Sequence, residues 1–188
     1  MDSTPNYMNQ DDFDAVIRAI PMLHIRKWLD SDVEYLFKIL YHMALRPSEG
    51  IKREKKDFDI KNRMVYLGQT KANKNDRAVI PKVFVDELEF WLSTKADGRL
   101  FPDLKYITFW TWLSKLGLML DIDAWKPDNR KRISENTKGH IFRKSWGKDA
   151  LENKIPVNVI SKHLRHKKPS MTIDYYLKSD IKNVFDTI

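Results

Sequence analysis

The sequence predicts a mainly α-helical protein with one small antiparallel β-sheet, an α+β fold. Two observations carry that expectation. Apolar residues recur at intervals of three and four along most of the chain, the spacing that lines one face of a helix. Only residues 64–80 change to short apolar runs on either side of a polar turn, as a β-hairpin does. A third observation limits the number of domains. The 188 residues contain six glycines and no internal repeat, so one compact unit is expected rather than modules on flexible linkers.

Residues 1–10 are polar and are expected to be flexible. Phe13, Val16, Ile17 and Ile20 share a helical face, and Pro21 lies beyond the helix end. Ser31 and Glu34 have capping-box spacing, so the next helix is expected to start at Ser31, with Val33, Leu36, Phe37, Leu40, Met43 and Ala44 inward. Pro47 disfavours helical geometry at Arg46, which places Arg46 at or just past that helix's end. Met64 to Leu67 and Ala78 to Ile80 read as strands flanking a polar loop with a basic tip, and Pro81 ends the second strand. Phe84, Leu88 and Trp91 mark another helix, and Phe109, Trp112, Leu113 and Leu116 the next. Aromatics at helical spacing are read as core rather than as a stacking platform. Residues 121–139 are polar and predict a surface loop. Helices over about 137–152, 156–164 and 174–185 complete the pattern, with Val157, Ile160 and Leu164 inward.

Composition narrows the function. Hydrophobic residues at 42% and charged residues at 32% describe an ordinary globular chain, not a disordered one. Without cysteine there is neither a disulfide scaffold nor a thiolate zinc site. No apolar run approaches the roughly 18 residues of a membrane span, and the N-terminus lacks a signal-peptide pattern. The net charge is +8, and residues 126–188, with fifteen Lys/Arg against seven Asp/Glu, carry an equal excess. A polyanion, most commonly nucleic acid, is the partner such an excess suits.

Five features stand outside the core pattern: Arg46-Pro47-Ser48-Glu49, Lys71 on the hairpin, His140-Ile141-Phe142-Arg143, His166, and Tyr175-Tyr176. Each alone is weak, since a surface lysine usually solubilises and a tyrosine pair usually packs. In this order and spacing they resemble the catalytic domain of the tyrosine recombinase, or phage integrase, family. That family shows Arg-x-Ser-Glu, a lysine on a β-hairpin, His-x-x-Arg, Leu-Gly-His, and a tyrosine nine or ten residues later. Here Leu164-Arg165-His166 and Met171-Thr172-Ile173-Asp174-Tyr175-Tyr176 answer to the last two, and Thr70-Lys71 through Ile80-Pro81 to the lysine turn.

The resemblance implies the DNA breaking–rejoining fold over residues 11–176, with residues 177–188 a tail that docks in trans. It implies a site-specific recombinase or integrase that cleaves and rejoins double-stranded DNA through a 3′-phosphotyrosine, with no metal, ATP or other cofactor. Arg46 and Arg143 would grip the non-bridging phosphate oxygens, as planar guanidinium forks suit phosphate. His166 would donate to the same phosphate, and His140 would assist proton transfer at the nucleophile. Lys71, preferred over Lys74, would protonate the departing 5′ oxygen. Tyr176 is the favoured nucleophile and Tyr175 the alternative. Lys74, Arg77, Lys126, Arg130, Lys131, Arg132, Lys144, Arg165, Lys167 and Lys168 are the expected DNA contacts.

Further expectations are self-association into a dimeric or tetrameric synapse on DNA, and a cytoplasmic, nucleoid-associated place in a prokaryote or its virus or plasmid. About thirty residues precede Ser31, too few for the helical clamp that commonly precedes this domain, so an excised fragment or a minimal enzyme is expected. Two departures stand out. Arg165 replaces the usual glycine, which predicts a different turn there, because arginine adopts positive φ less readily. Lys144 stands where a second histidine often follows. A non-catalytic DNA-binding module on the same fold is the main rival. A rolling-circle nuclease with paired tyrosines is disfavoured, because no His-hydrophobic-His tripeptide occurs.

Overall fold

The computed structural model describes residues 7–68, 76–126, 138–166 and 170. Among these residues the chain forms seven α-helices and a three-stranded antiparallel sheet. Helix α1 (Gln10–Ala19) starts from a capping box in which Asn9 and Asp12 each accept the other's backbone N–H, at 2.8 and 3.0 Å. Residues 7–10 belong to the stretch expected to be flexible, yet Met8 is buried and its N–H donates to Ser145 Oγ at 2.9 Å. Pro21 ends α1 as expected, and the chain passes through a 3₁₀ turn at Ile20–Leu23.

Helix α2 (Asp30–His42) departs from its predicted start. It begins after Leu29, and no side chain caps it, Ser31 included. Asp30 and Asp32 lie in the first turn, where negative charge suits the positive end of the helix dipole. Asp32 also pairs with Lys95 and accepts from Trp91 Nε1, so the acidic start is held by tertiary contacts. Leu36, Phe37, Ile39 and Leu40 are all fully buried, which makes α2 the central helix.

Past α2 the backbone turns at Ala44, with φ of 50°, and Arg46 is extended as Pro47 requires. Pro47 then opens a short helix, α3 (Pro47–Ile51), where a missing N–H is harmless. Strands β2 (Met64–Gly68) and β3 (Asp76–Val79) form the predicted hairpin, and a short strand absent from the sequence expectation, β1 (Phe58–Asp59), pairs with β2. Val65, Leu67 and Ala78 face inward, while Val79 and Tyr66 face out. Register runs from Met64 opposite Val79 to Tyr66 opposite Arg77, then shifts so that Gly68, with φ of 67°, meets Asp76.

Helices α4 (Val85–Ser93) and α5 (Tyr106–Met119) follow. Phe109, Trp110 and Trp112 on α5 are buried, as the core reading expects. Trp125, by contrast, lies in a segment expected to be a surface loop and is fully buried. A Cβ on Gly117 would sit 2.6 Å from the Trp125 backbone, so glycine there lets the 3₁₀ turn at Asp123–Trp125 lie on α5. Phe37 of α2 meets Phe109 at 5.4 Å between ring centroids and Phe142 of α6 (Ile141–Glu152) edge-on at 5.7 Å. Helix α7 (Val157–His163) packs Ile160, and Leu164 just beyond it, with Ala44 and Ala150 into a second, smaller cluster. Val157 is only partly buried. The predicted helix over 174–185 lies outside the described residues.

Candidate active site

The site forms where the α2–α3 junction, the start of α6 and the turn after α7 meet. Arg46 precedes α3, and its extended backbone turns its N–H to Glu49 Oε2 at 2.7 Å. Its guanidinium returns to Glu49 Oε1 at 2.6 Å, while the side chain stays 35% exposed and within reach of a ligand. Glu49 is nearly enclosed and also accepts from Arg165 Nη2 at 2.8 Å. Burial alone would raise the Glu49 pKa. The Arg165 charge, the Arg46 N–H and the Arg46 guanidinium outweigh it and hold the carboxyl below its ordinary value.

Arg143, one turn into α6, is buried and serves as a strut. Nη1 donates to the Ala44 carbonyl at 2.7 Å, and Nη2 donates to the Leu164 carbonyl. One guanidinium thus joins the end of α2 to the end of α7, with its charge fixed close to both histidine-bearing segments.

His140 ends the 3₁₀ turn that leads into α6 and is exposed. Gly139 sets its position, since a Cβ there would lie 2.3 Å from Pro47 Cγ. The turn therefore sits directly on the proline beside Arg46. Loss of hydration, then the charges of Arg143, Arg46 and Lys144, push the His140 pKa below the usual imidazole value, against the opposing charge of Glu49. His166 follows Arg165 in the turn after α7, and its N–H donates to the Ser161 carbonyl at 3.0 Å. Burial, with the charges of Arg143, Arg46, Arg165 and His140, pushes its pKa down to about 4. Both imidazoles are neutral at pH 7, in a field made positive by arginines. No group of three acidic or imidazole side chains among the described residues is arranged to hold a metal ion.

Four of the six expected catalytic residues, Arg46, His140, Arg143 and His166, are thus brought together. Lys71, Tyr175 and Tyr176 lie outside the described residues, as do Lys74, Arg130, Lys131, Arg132, Lys167 and Lys168. Of the remaining expected DNA contacts, Arg77 is exposed and lies over the Tyr66 ring, 5.1 Å from its centroid. Lys144 is half-buried beside His140. Lys126 is held by Asp121 and Asp123, each at 2.5 Å. Arg165 turns inward with only 3% of its side chain exposed, engaged by Glu49.

Arg165 adopts φ of 54°, the left-handed conformation that glycine takes without strain, so the arginine bears that strain. Glu49 stands in the Arg46–Glu49 motif, and the motif alone assigns it no role. Its position three residues after an extended Arg46 was the available signal, because that spacing returns a carboxylate to the preceding N–H.

Comparison with known proteins adds three findings. The phage integrase family profile matches residues 7–182. The tyrosine recombinase XerA of Saccharolobus solfataricus is 27% identical over 180 residues, which cover 90% of this chain and 56% of that protein. The chain therefore spans little more than half the length of that relative. Among solved structures, a XerA recombinase superposes with a TM-score of 0.68 at 18% identity, covering 100% of this chain and 66% of that one. The catalytic domain of bacteriophage HP1 integrase gives 0.65 at 19% identity, covering 94% of this chain and 93% of that one. The XerH recombinase bound to its difH substrate after cleavage gives 0.66 at 14% identity, covering 92% and 50%.

Proposed function

The chain belongs to the phage integrase family, and from that we propose that it is a site-specific recombinase that cuts and rejoins double-stranded DNA through a 3′-phosphotyrosine. The observation that carries this reading is the gathering of Arg46, Arg143, His140 and His166, from three separate segments, around one positive pocket. A phosphodiester repels nucleophiles, and charge builds on its non-bridging oxygens as attack proceeds. Fixed cations and N–H donors there lower the barrier without a metal ion.

In this mechanism Arg46 binds one non-bridging oxygen and Arg143 supports the other from its rigid strut. His166, neutral, donates an N–H to the same phosphate. The Tyr176 hydroxyl loses its proton to the neutral His140 as its oxygen bonds to phosphorus. The P–O5′ bond breaks, and Lys71 gives its proton to the departing oxygen. The enzyme is left bonded to a 3′-phosphate and the strand with a free 5′-hydroxyl. Attack by a 5′-hydroxyl from another duplex reverses the step, so bond energy is conserved and no nucleotide triphosphate is consumed. Two or four protomers on paired sites would complete an exchange, in the nucleoid of a prokaryote or on the DNA of its virus or plasmid.

The test offers the protein a pool of nicked duplexes with randomised sequence, in which cleavage near the nick releases a short fragment and traps the adduct. A denaturing gel then shows protein covalently joined to DNA, and sequencing the captured strands gives the preferred site. Formation in EDTA, loss with Tyr176→Phe and retention with Tyr175→Phe are expected. Absence of any adduct, with binding retained, would favour a non-catalytic DNA-binding module instead.

A further inference from the structure

We infer that Arg165 is a positioning residue of the phosphate pocket: it occupies Glu49 Oε2 as a second counter-charge, and so keeps Arg46 free to bind a phosphate that Arg165 itself does not touch. This rests on the reading of Arg46 and Arg143 as the phosphate-binding pair. The starting observation is a long cationic side chain where the backbone favours none. Arg165 holds φ of 54°, which glycine adopts without strain, so the turn alone gives no reason for an arginine.

That side chain is turned inward and is 3% exposed. Nη2 donates to Glu49 Oε2 at 2.8 Å on α3 and lies 3.4 Å from the Ala44 carbonyl, and Nη1 donates to the His163 carbonyl at 2.9 Å. Nε lies 3.7 Å from Asp76 Oδ2, an ion-pair distance. With so little exposure this guanidinium lies behind the pocket and not on a surface that DNA could reach.

Its effect falls on Glu49. Oε1 accepts from the Arg46 guanidinium at 2.6 Å, while Oε2 accepts from the Arg46 N–H at 2.7 Å and from Arg165 Nη2. A carboxylate with both oxygens open takes a guanidinium through two parallel N–H bonds, the stronger pairing. Arg165 on Oε2 blocks that second bond. Arg46 is therefore held through one nitrogen, and the rest of its fork, in a side chain 35% exposed, is left for an incoming phosphate. The balance of charge points the same way. Arg46, Arg143 and Arg165 set three positive charges against the two carboxylates of Glu49 and Asp76. Without Arg165 these groups are neutral overall, and a neutral pocket holds an anion weakly. Arg165 is also among the charges that keep the His166 pKa low.

The experiment measures equilibrium binding of the duplex recovered by covalent capture, made with either the ordinary scissile phosphate or an uncharged methylphosphonate in its place. Wild-type protein is expected to prefer the charged duplex by about tenfold or more. Arg165→Met keeps the length of the side chain without its charge, and should lower that preference to less than about threefold. Glu49→Gln removes the opposing charge and should raise it. Opposite signs identify a charge effect, because breaking a merely structural pair would weaken both variants alike. Arg165→Lys should stay near wild type, and Glu49→Gln added to Arg165→Met should recover most of what Arg165→Met loses.

A preference that falls in both Arg165→Met and Glu49→Gln, or that is unchanged in Arg165→Met, would overturn the inference. The proposed function would stand in either case if Arg46→Ala still abolishes the preference. Arg46→Ala with the wild-type preference would overturn both, since the phosphate would then lie outside the pocket. If Arg165→Met fails to fold, the sign of the change in Glu49→Gln decides alone.

Discussion

Replacing Gly139 with alanine isolates the contact that sets His140 against Arg46. The added Cβ would lie 2.3 Å from Pro47 Cγ and 3.2 Å from Cδ, whereas carbon atoms pack at about 3.5–4.0 Å. Separation by more than an ångström is required. Pro47 cannot turn aside, because its ring is rigid and it begins α3 in a buried position. Gly139 has no positive φ, so alanine brings no backbone strain and the effect is steric. Overpacking of this kind costs about 1–3 kcal/mol, and each kcal/mol lowers the melting temperature of a chain this size by roughly 2–4 °C. The larger effect falls on rate, since a displacement of about 1 Å between groups acting on one phosphate costs on the order of a hundredfold. Pro47→Ala removes the obstructing ring atoms and should restore much of both losses in the double variant. Calorimetry and single-turnover cleavage measure the two effects. A Gly139→Ala protein that melts and cleaves like wild type would refute the contact as the source of the alignment.

Arg143→Lys should fail although charge is kept, because one ammonium cannot serve the Ala44 and Leu164 carbonyls and still face the pocket. A loss of about 1–3 kcal/mol in urea denaturation, with cleavage lost, is expected, and wild-type stability would contradict it. His163 stacks on Trp146 at 4.1 Å, and burial, then the charges of Arg165 and Arg143, push its pKa down to about 4. The unfolded chain therefore takes up a proton that the folded one refuses, and stability should fall as pH drops from about 6.5 towards 4, by on the order of 2 kcal/mol. His163→Gln should remove its share of that slope and leave the share of His166, whose pKa is likewise about 4. A wild-type melting temperature constant between pH 7 and 4.5 would refute the assignment.

The helices built on an apolar stripe were legible in the sequence because periodicity reports burial directly. α5 and the hairpin lie where their patterns put them. Arg46 was legible because Pro47 acts on its immediate neighbour. The misread features depend on distant partners. Ser31 has the local pattern of a cap, but Asp32 is claimed by Trp91 of α4 and by Lys95 just past it, and the helix starts elsewhere. Trp125 sits among polar residues, and only the glycine at 117, eight positions earlier, makes room for it against Phe37 and Phe142. Arg165 is expected from sequence to contact DNA, whereas it turns inward to carboxylate partners 116 and 89 positions away.

The electrostatics of the pocket separate binding from chemistry. Arg46 and Arg165 share the enclosed Glu49 carboxylate, Arg165 also approaches Asp76, and Arg143 donates to two carbonyls. Burial first, and then the net positive charge of these arginines, lowers the pKa values of both His140 and His166. A phosphate seated there supplies the missing negative charge and raises both values again, so binding must draw protons from solution below neutral pH. Affinity for the captured duplex should therefore rise as pH falls from 7 to about 5, and calorimetry in two buffers of different ionisation heat should register net proton uptake at pH 6. Cleavage should move the other way, because a protonated His140 can no longer accept the tyrosine proton. His166→Gln should remove part of the uptake and leave the fall in rate, since that fall belongs to His140. Binding without proton uptake at pH 6 would mean that the phosphate sits away from the histidines, and the arginine pocket would then lose its place at the centre of the reaction.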